Sequence, residues 1–183
     1  MYECCNTTFE TLNEFKKHIK SRRTHSLTKS NVIDINLPRS IVYSMISNRD
    51  FFMRMLNLAS LDNNDKFLLP IPTKKDVLGS TLKRSLAVRV EGPKSDKGLP
   101  TYVIYAGNLI YKISFKVDSI GESKTRVSLI STFEADIGRL GTLLPSVVTK
   151  KLGILPSPGK ILEEFEREIK ILDLRGYGVP SSK

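Results

Sequence analysis

Histidine and cysteine are scarce in this chain, and the few present lie at one end. Among 183 residues there are two cysteines and two histidines. Cys4, Cys5, His18 and His25 all fall in the opening stretch MYECCNTTFETLNEFKKHIKSRRTH. The remainder therefore has no imidazole for acid–base chemistry and no thiol nucleophile. Neighbouring cysteines make a poor disulfide staple, which suits a reducing compartment. No apolar run approaches the roughly 18–20 residues that a membrane helix needs. The first residues are polar and charged where a signal peptide is apolar, so the expected location is the cytoplasm. A Gly-rich phosphate loop, a G-x-S-x-G elbow and a zincin motif are all missing, as is any internal repeat. Lysine and arginine exceed aspartate and glutamate, 29 to 19, but the surplus is spread out and forms no long basic block. Charge by itself is a weak pointer to nucleic acid.

What is present suits one domain with a small appendage. Hydrophobic residues make up 40% of the chain, enough for a core. Residues 1–29 are polar, helix-like from about Glu10, and end in the loop-like RRTHSLTKS. A boundary is expected near Ser30, with a main domain over 30–176 and a frayed tail over 177–183. NVIDINLP alternates Ile33, Ile35 and Leu37 against polar neighbours, the pattern of a half-buried strand. Pro38 ends it and opens a helix containing Ile41, Val42, Met45 and Ile46. Asn48 breaks that helix, and Phe51, Phe52 and Met55 mark a second. Residues 60–79 read as a loop or edge strand with two prolines.

After Gly79 the pattern turns to strands. Leu82, Leu86, Val88 and Val90 share a face with Arg84, and GPKSDKGLP reads as a turn-rich loop. TYVIYA and LIYKISFKVDS flank Gly107-Asn108, a two-residue hairpin signal that sets Ile104 opposite Tyr111 and Tyr102 opposite Ile113. One face then carries Tyr102, Ile104, Tyr111, Ile113, Phe115 and Val117, while Lys112, Ser114 and Lys116 take the other. Val127, Leu129 and Phe133 continue the inward face. The last third is helical. RLGTLLPSVVTKKLG carries Leu144, Val147 and Val148 and is broken by Pro145. A long helix follows, capped by Ser157 with Pro158 at its first position, carrying the stripe Ile161, Phe165, Ile169 and Leu172, and stopped by Gly176. An antiparallel sheet with one apolar face needs a cover, and this helix is long enough to supply it.

The opening stretch follows the spacing of a two-cysteine, two-histidine zinc finger. Tyr2 stands two before Cys4, Phe9 four after Cys5, Phe15 six later and His18 three after that. The stretch resembles that family over about 25 residues. It departs from the pattern twice: the cysteines are adjacent, and six residues separate His18 from His25. The resemblance implies a structural zinc ion on Cys4, Cys5, His18 and His25, with no position left open for chemistry. A lone finger gives little DNA contact, and Lys16, Lys17, Lys20, Arg22 and Arg23 read as a solvated face or as phosphate contacts.

From residue 30 onward, the opening IDINLPRSIVYSMISNRDFF and the long C-terminal helix resemble the α+β helix-grip fold. That fold is shared by START domains, birch-pollen-allergen-like proteins and polyketide cyclases. The whole chain, finger included, is similar to a small family from thermoacidophilic archaea for which hydrophobic-ligand binding has been suggested. The resemblance implies a cavity between a curved antiparallel sheet and the C-terminal helix, holding a lipid- or fatty-acid-like molecule. The implied lining is Leu86, Val88, Tyr102, Ile104, Tyr111, Ile113, Phe115, Leu129, Phe133, Leu144, Val148 and Phe165. RLGTLLPSVVTKKLG, hinged by Gly141 and Gly153, would be its gate, and Lys150 and Lys151 would favour an acidic head group. The same residues also read as plain core. The expectation is a non-enzymatic binder, compatible with a homodimer. The alternatives are a nucleic-acid-binding regulator that uses the finger and a cyclase-type enzyme that uses Arg84 beside inward tyrosines.

Overall fold

The structure is a computed structural model that describes residues 1–61, 66–71, 84–107, 109–136 and 156–174. The N-terminal hairpin β1 (Tyr2–Cys4) and β2 (Thr7–Phe9) is followed by α1 (Leu12–Ser21). Strand β3 (Thr24–Ile35) leads to the short helices α2 (Arg39–Ser47) and α3 (Arg49–Met55). Strands β4 (Ala59–Ser60), β5 (Lys66–Ile71), β6 (Arg84–Asp96), β7 (Leu99–Ala106), β8 (Leu109–Ser119) and β9 (Thr125–Asp136) come next, and α4 (Pro158–Leu174) closes the described chain. Among the described residues β3 to β9 form a seven-stranded antiparallel sheet in the order β3-β9-β8-β7-β6-β5-β4. Among the described residues no helix is long and apolar enough to cross a membrane.

Local chemistry explains most of the boundaries. Thr11 caps α1 in a reciprocal capping box with Glu14. The side chain of Asn48 accepts from the Phe51 N–H, so the residue that ends α2 also starts α3. Ser157 accepts from the Lys160 N–H ahead of Pro158, as its sequence position suggests. The hairpin register is the expected one: Ile104 pairs with Tyr111 and Tyr102 with Ile113. Ala106 pairs with Leu109, as that register requires.

Two readings of the sequence change. GPKSDKGLP is not a loop: β6 runs through it to Asp96 with a register shift between Glu91 and Lys94, then turns at Lys97-Gly98. Gly92 makes the bulge possible. Its φ is +116°, and a Cβ there would lie 2.7 Å from the Thr101 carbonyl oxygen. RRTHSLTKS is a loop only at Arg22 and Arg23. β3 begins at Thr24 and runs unbroken past Ser30, so the boundary expected at Ser30 falls inside a strand. The alternation is hard to see because Lys29 and Asn31 occupy inward-parity positions and remain exposed. The C-cap at Gly176, the tail over 177–183 and the side chains of Leu82 and Arg84 lie outside the described residues.

The core lies between the sheet's inner face and the helices. Tyr102, Ile104, Ile113, Phe115, Val127 and Leu129 of the sheet are buried with Ile161, Leu162 and Phe165 of α4 and Phe51 and Phe52 of α3. The polar face of the central strands is exposed or half-buried at Lys112 and Lys116, and Ser114 is buried there through its hydrogen bond with Thr101.

Candidate metal centre and the inner face of the sheet

The sharp turn that adjacent cysteines require is built from two left-handed residues. Cys5 has φ +53° and Asn6 φ +57°, and Cys4 pairs with Thr7, so Cys5-Asn6 is a two-residue hairpin turn. Asparagine tolerates this conformation better than most residues, and that was the signal available in the sequence. The turn brings the sulfurs of Cys4 and Cys5 to 3.8 Å from each other. Helix α1 supplies His18, and β3 supplies His25. His25 Nδ1 lies 3.4 Å from Cys4 Sγ and 3.8 Å from Cys5 Sγ. One ligand atom from each of the four residues falls within 4.8 Å of every other. The wide histidine spacing is bridged by the chain leaving α1 at Arg22 and returning as a strand.

Each nitrogen has a defined role. His25 Nε2 sits 3.2 Å from the Ile19 carbonyl and 3.0 Å from the Arg22 carbonyl, so it carries the proton and donates to the end of α1. That leaves Nδ1 as a lone pair facing the sulfurs, the arrangement that orients a metal-ligating imidazole. His18 Nε2 is buried and has no hydrogen-bond partner. A buried orphan acceptor beside two thiols fits a metal and is costly without one. Burial holds the His18 imidazole below its ordinary pKa, and the His25 ring adds to the effect. Burial likewise pushes the Cys4 thiol up to about 12, with Cys5 reinforcing it. Phe15 and Ile19 form the small core beneath, with Tyr2 stacked on Phe15 at 5.2 Å and Phe9 against the His18 ring at 4.8 Å. The residues placed at finger spacing are therefore the ones that pack here.

The implied ligand lining lies elsewhere on the sheet. Val88, Tyr102, Ile104, Tyr111, Ile113, Phe115, Leu129, Phe133 and Phe165 are all buried, and Leu86 is half-buried against them. Leu144, Val148, the gate segment with Gly141, Pro145 and Gly153, and Lys150 and Lys151 lie outside the described residues. Near α3 the space between sheet and helix is filled. Phe52 stacks on Tyr102 with ring centroids 3.6 Å apart, and Phe51 meets Phe165 edge-on at 5.4 Å. The gap bounded by Ile46, Phe51, Phe52, Met55, Phe115 and Phe165 does not admit a water molecule. Sequence reasoning did not assign Phe51 and Phe52 to this filling. The Tyr102 hydroxyl donates to the Ile46 carbonyl at 2.8 Å, and the Tyr111 hydroxyl to the Pro156 carbonyl at 2.7 Å. Burial raises both phenols, Tyr111 to about 12.

No protein-family model and no curated protein matches the chain. Solved structures do. The chain is similar to norcoclaurine synthase from Thalictrum flavum, in its complex with dopamine and hydroxybenzaldehyde, at 10% identity over 97% of both chains with a TM-score of 0.53. It is similar to a START superfamily protein from Mycobacterium smegmatis at 10% identity, covering 79% of this chain and 98% of that one with a TM-score of 0.43. A protein from Thermus thermophilus matches at 17% identity over 79% and 98%, with a TM-score of 0.45. At such identity the likeness establishes the fold alone: an α+β helix grip, a large antiparallel sheet against a C-terminal helix. This chain adds to it an N-terminal cluster of two cysteines and two histidines compatible with a metal site.

Proposed function

We propose that the protein is a non-catalytic helix-grip module that holds a hydrophobic, fatty-acid-like molecule on the inner face of its sheet and carries a structural zinc ion at its N-terminus. The observation behind the zinc assignment is the set of ligand separations. Zinc bonds of about 2.3 Å to sulfur and about 2.0–2.1 Å to nitrogen, in a tetrahedron, put ligand atoms about 3.8 Å apart for two sulfurs and about 3.6 Å for sulfur and nitrogen. The separations of 3.8, 3.4 and 3.8 Å among Cys4, Cys5 and His25 match that pattern, and His18 has a ligand atom within 4.8 Å of each of them. Soft thiolates with imidazoles also favour zinc over hard cations. Zinc held by four side chains leaves no site for a substrate, so its role is structural.

The ligand reading rests on the fold and on how the inner face divides. With the α3 side filled by Phe51, Phe52, Tyr102 and Phe165, a bound molecule would lie over the rows nearer β3's start, around Leu86, Ile104, Tyr111 and Phe133. The non-catalytic reading is supported by the engagement of the phenols and the imidazole that the described residues offer on the inner face. Tyr102 and Tyr111 donate to backbone carbonyls, and His25 is committed to the cluster and to α1. Binding of a graded series of fatty acids and matching alcohols tests the proposal. Each added CH₂ should tighten binding by about 0.8 kcal/mol until the site is full, and the acids should bind better than the alcohols. An affinity independent of chain length would remove the ligand reading.

A further inference from the structure

The metal centre is built across the junction with the sheet. Three of its ligands come from the ββα element, but His25 belongs to β3, where it pairs with Ala135 of β9. Cross-strand partners share a face, so His25 begins an inner row of buried residues that continues through Ala135, Leu109 and Ala106. The next row is Leu27, Phe133, Tyr111 and Ile104, of which the last three belong to the implied ligand lining.

Two further ties land on the same few residues. The Cys5 N–H donates to the Ser26 carbonyl, which places the cysteine turn against the start of β3. Arg23 bonds both carboxylate oxygens of Asp136, the last residue of β9. Among the described residues β3 is an edge strand, and the ends of edge strands open easily unless tied down. Farther along, β3 has a different support: α4 begins against Asn31, where a Cβ on Gly159 would lie 2.9 Å from Asn31 Nδ2. Among the described residues, the start of β3 is held by the metal element and its later part by α4.

We propose that the metal is a clamp on the sheet: its binding fixes the first two inner rows, and through the Leu27–Phe133–Tyr111–Ile104 row it stabilises one end of the ligand site. The clamp stands on the junction geometry, and only its link to the ligand rests on the function proposed above. Removing the metal frees His25 from the cysteines and leaves it only the α1 carbonyls, which lose their own anchor as the small N-terminal core loosens. The opening should then run past Thr24 into β3 and its partner residues in β9. By linkage, a ligand that binds better to the clamped sheet must hold the metal more tightly by the same factor.

Peptide-resolved hydrogen exchange on the full chain tests this, comparing the zinc-loaded protein with the EDTA-stripped protein, each with and without palmitate. Stripping should speed exchange at least about tenfold in residues 24–28 and 132–136 as well as in 1–23, and leave 31–35 and 125–129 unchanged. His18→Ala, which removes a ligand on α1 and leaves the residues of β3 unchanged, should reproduce that opening in the presence of zinc. Faster exchange confined to residues 1–23 in both cases would overturn the clamp. Palmitate that slows zinc loss to a chelator would confirm the link. Opening of 24–28 with no palmitate binding to either form would leave the clamp standing and refute the proposed ligand.

Discussion

Truncating Phe165 to alanine tests whether the α3 side of the grip is solid. Phe165 is fully buried, its ring meets Phe51 edge-on, and the gap it shares with Ile46, Phe52, Met55 and Phe115 is too small for water. The cost of such a truncation depends on how far the walls can collapse. Here they are held. Phe52 is stacked flat on Tyr102, and Tyr102 is anchored through its hydroxyl to the Ile46 carbonyl. Phe51 is braced by the Arg54 guanidinium, 5.9 Å from its ring centroid. Phe165→Ala should therefore cost about 3–5 kcal/mol, the range for a large aromatic removed from a packed core. For a chain of this length that is a fall in Tm of roughly 6–20 °C, at about 2–4 °C per kcal/mol. Urea denaturation with zinc held constant reads it as a lower midpoint at unchanged slope. A loss below about 2 kcal/mol would mean that Phe165 borders open space, and the α3 side of the grip would not be solid.

Two other perturbations follow from the site and the surface. Elemental analysis after dialysis without chelator should find about one zinc per chain, as four protein ligands imply, and His18→Ala should fall well below half of that; unchanged occupancy would remove His18 from the site. Asp34 accepts two hydrogen bonds from Arg126 at 2.8 and 3.0 Å, and this pairing, with Lys124 nearby, holds its carboxyl below the usual carboxylate range. A depressed folded pKa gives stability that is present above the unfolded value of about 3.9 and lost as pH falls through the folded one. The stability difference between wild type and Asp34→Asn should therefore be present at neutral pH and vanish in strong acid, and a difference that stays constant with pH would show that the ion pair contributes nothing.

Much of this protein was legible in local pattern. The Gly107-Asn108 signal in the sequence set the β7–β8 register that the strands show, because a two-residue connection leaves one pairing and a period of two then fixes every side chain's face. Asn48 placed the break between α2 and α3, and Ser157 the start of α4, because capping is a contact between near neighbours in sequence. Tyr2, Phe9, Phe15 and His18 announced the small N-terminal core by spacing alone, and they are the residues that pack around the cluster. The strand at Thr24–Lys29 escaped notice because its alternation is interrupted at Lys29 and Asn31. Its pairing to β9, more than a hundred residues away, is a long-range contact that no local window contains.

The sequence by itself determined which side chains could hold a metal, which face of each central strand is apolar, and where the long helix begins, since each depends on residues within a turn or two of one another. Only the tertiary structure decided that adjacent cysteines can converge, through left-handed backbone at Cys5 and Asn6. It alone decided that the fourth ligand comes from the sheet, so that the N-terminal element is joined to the grip and not merely tethered ahead of it. It also settled that Phe51 and Phe52 fill the space beside Tyr102 and Phe165. Periodicity shows that a residue points inward, but what it meets there depends on which distant elements are packed over it.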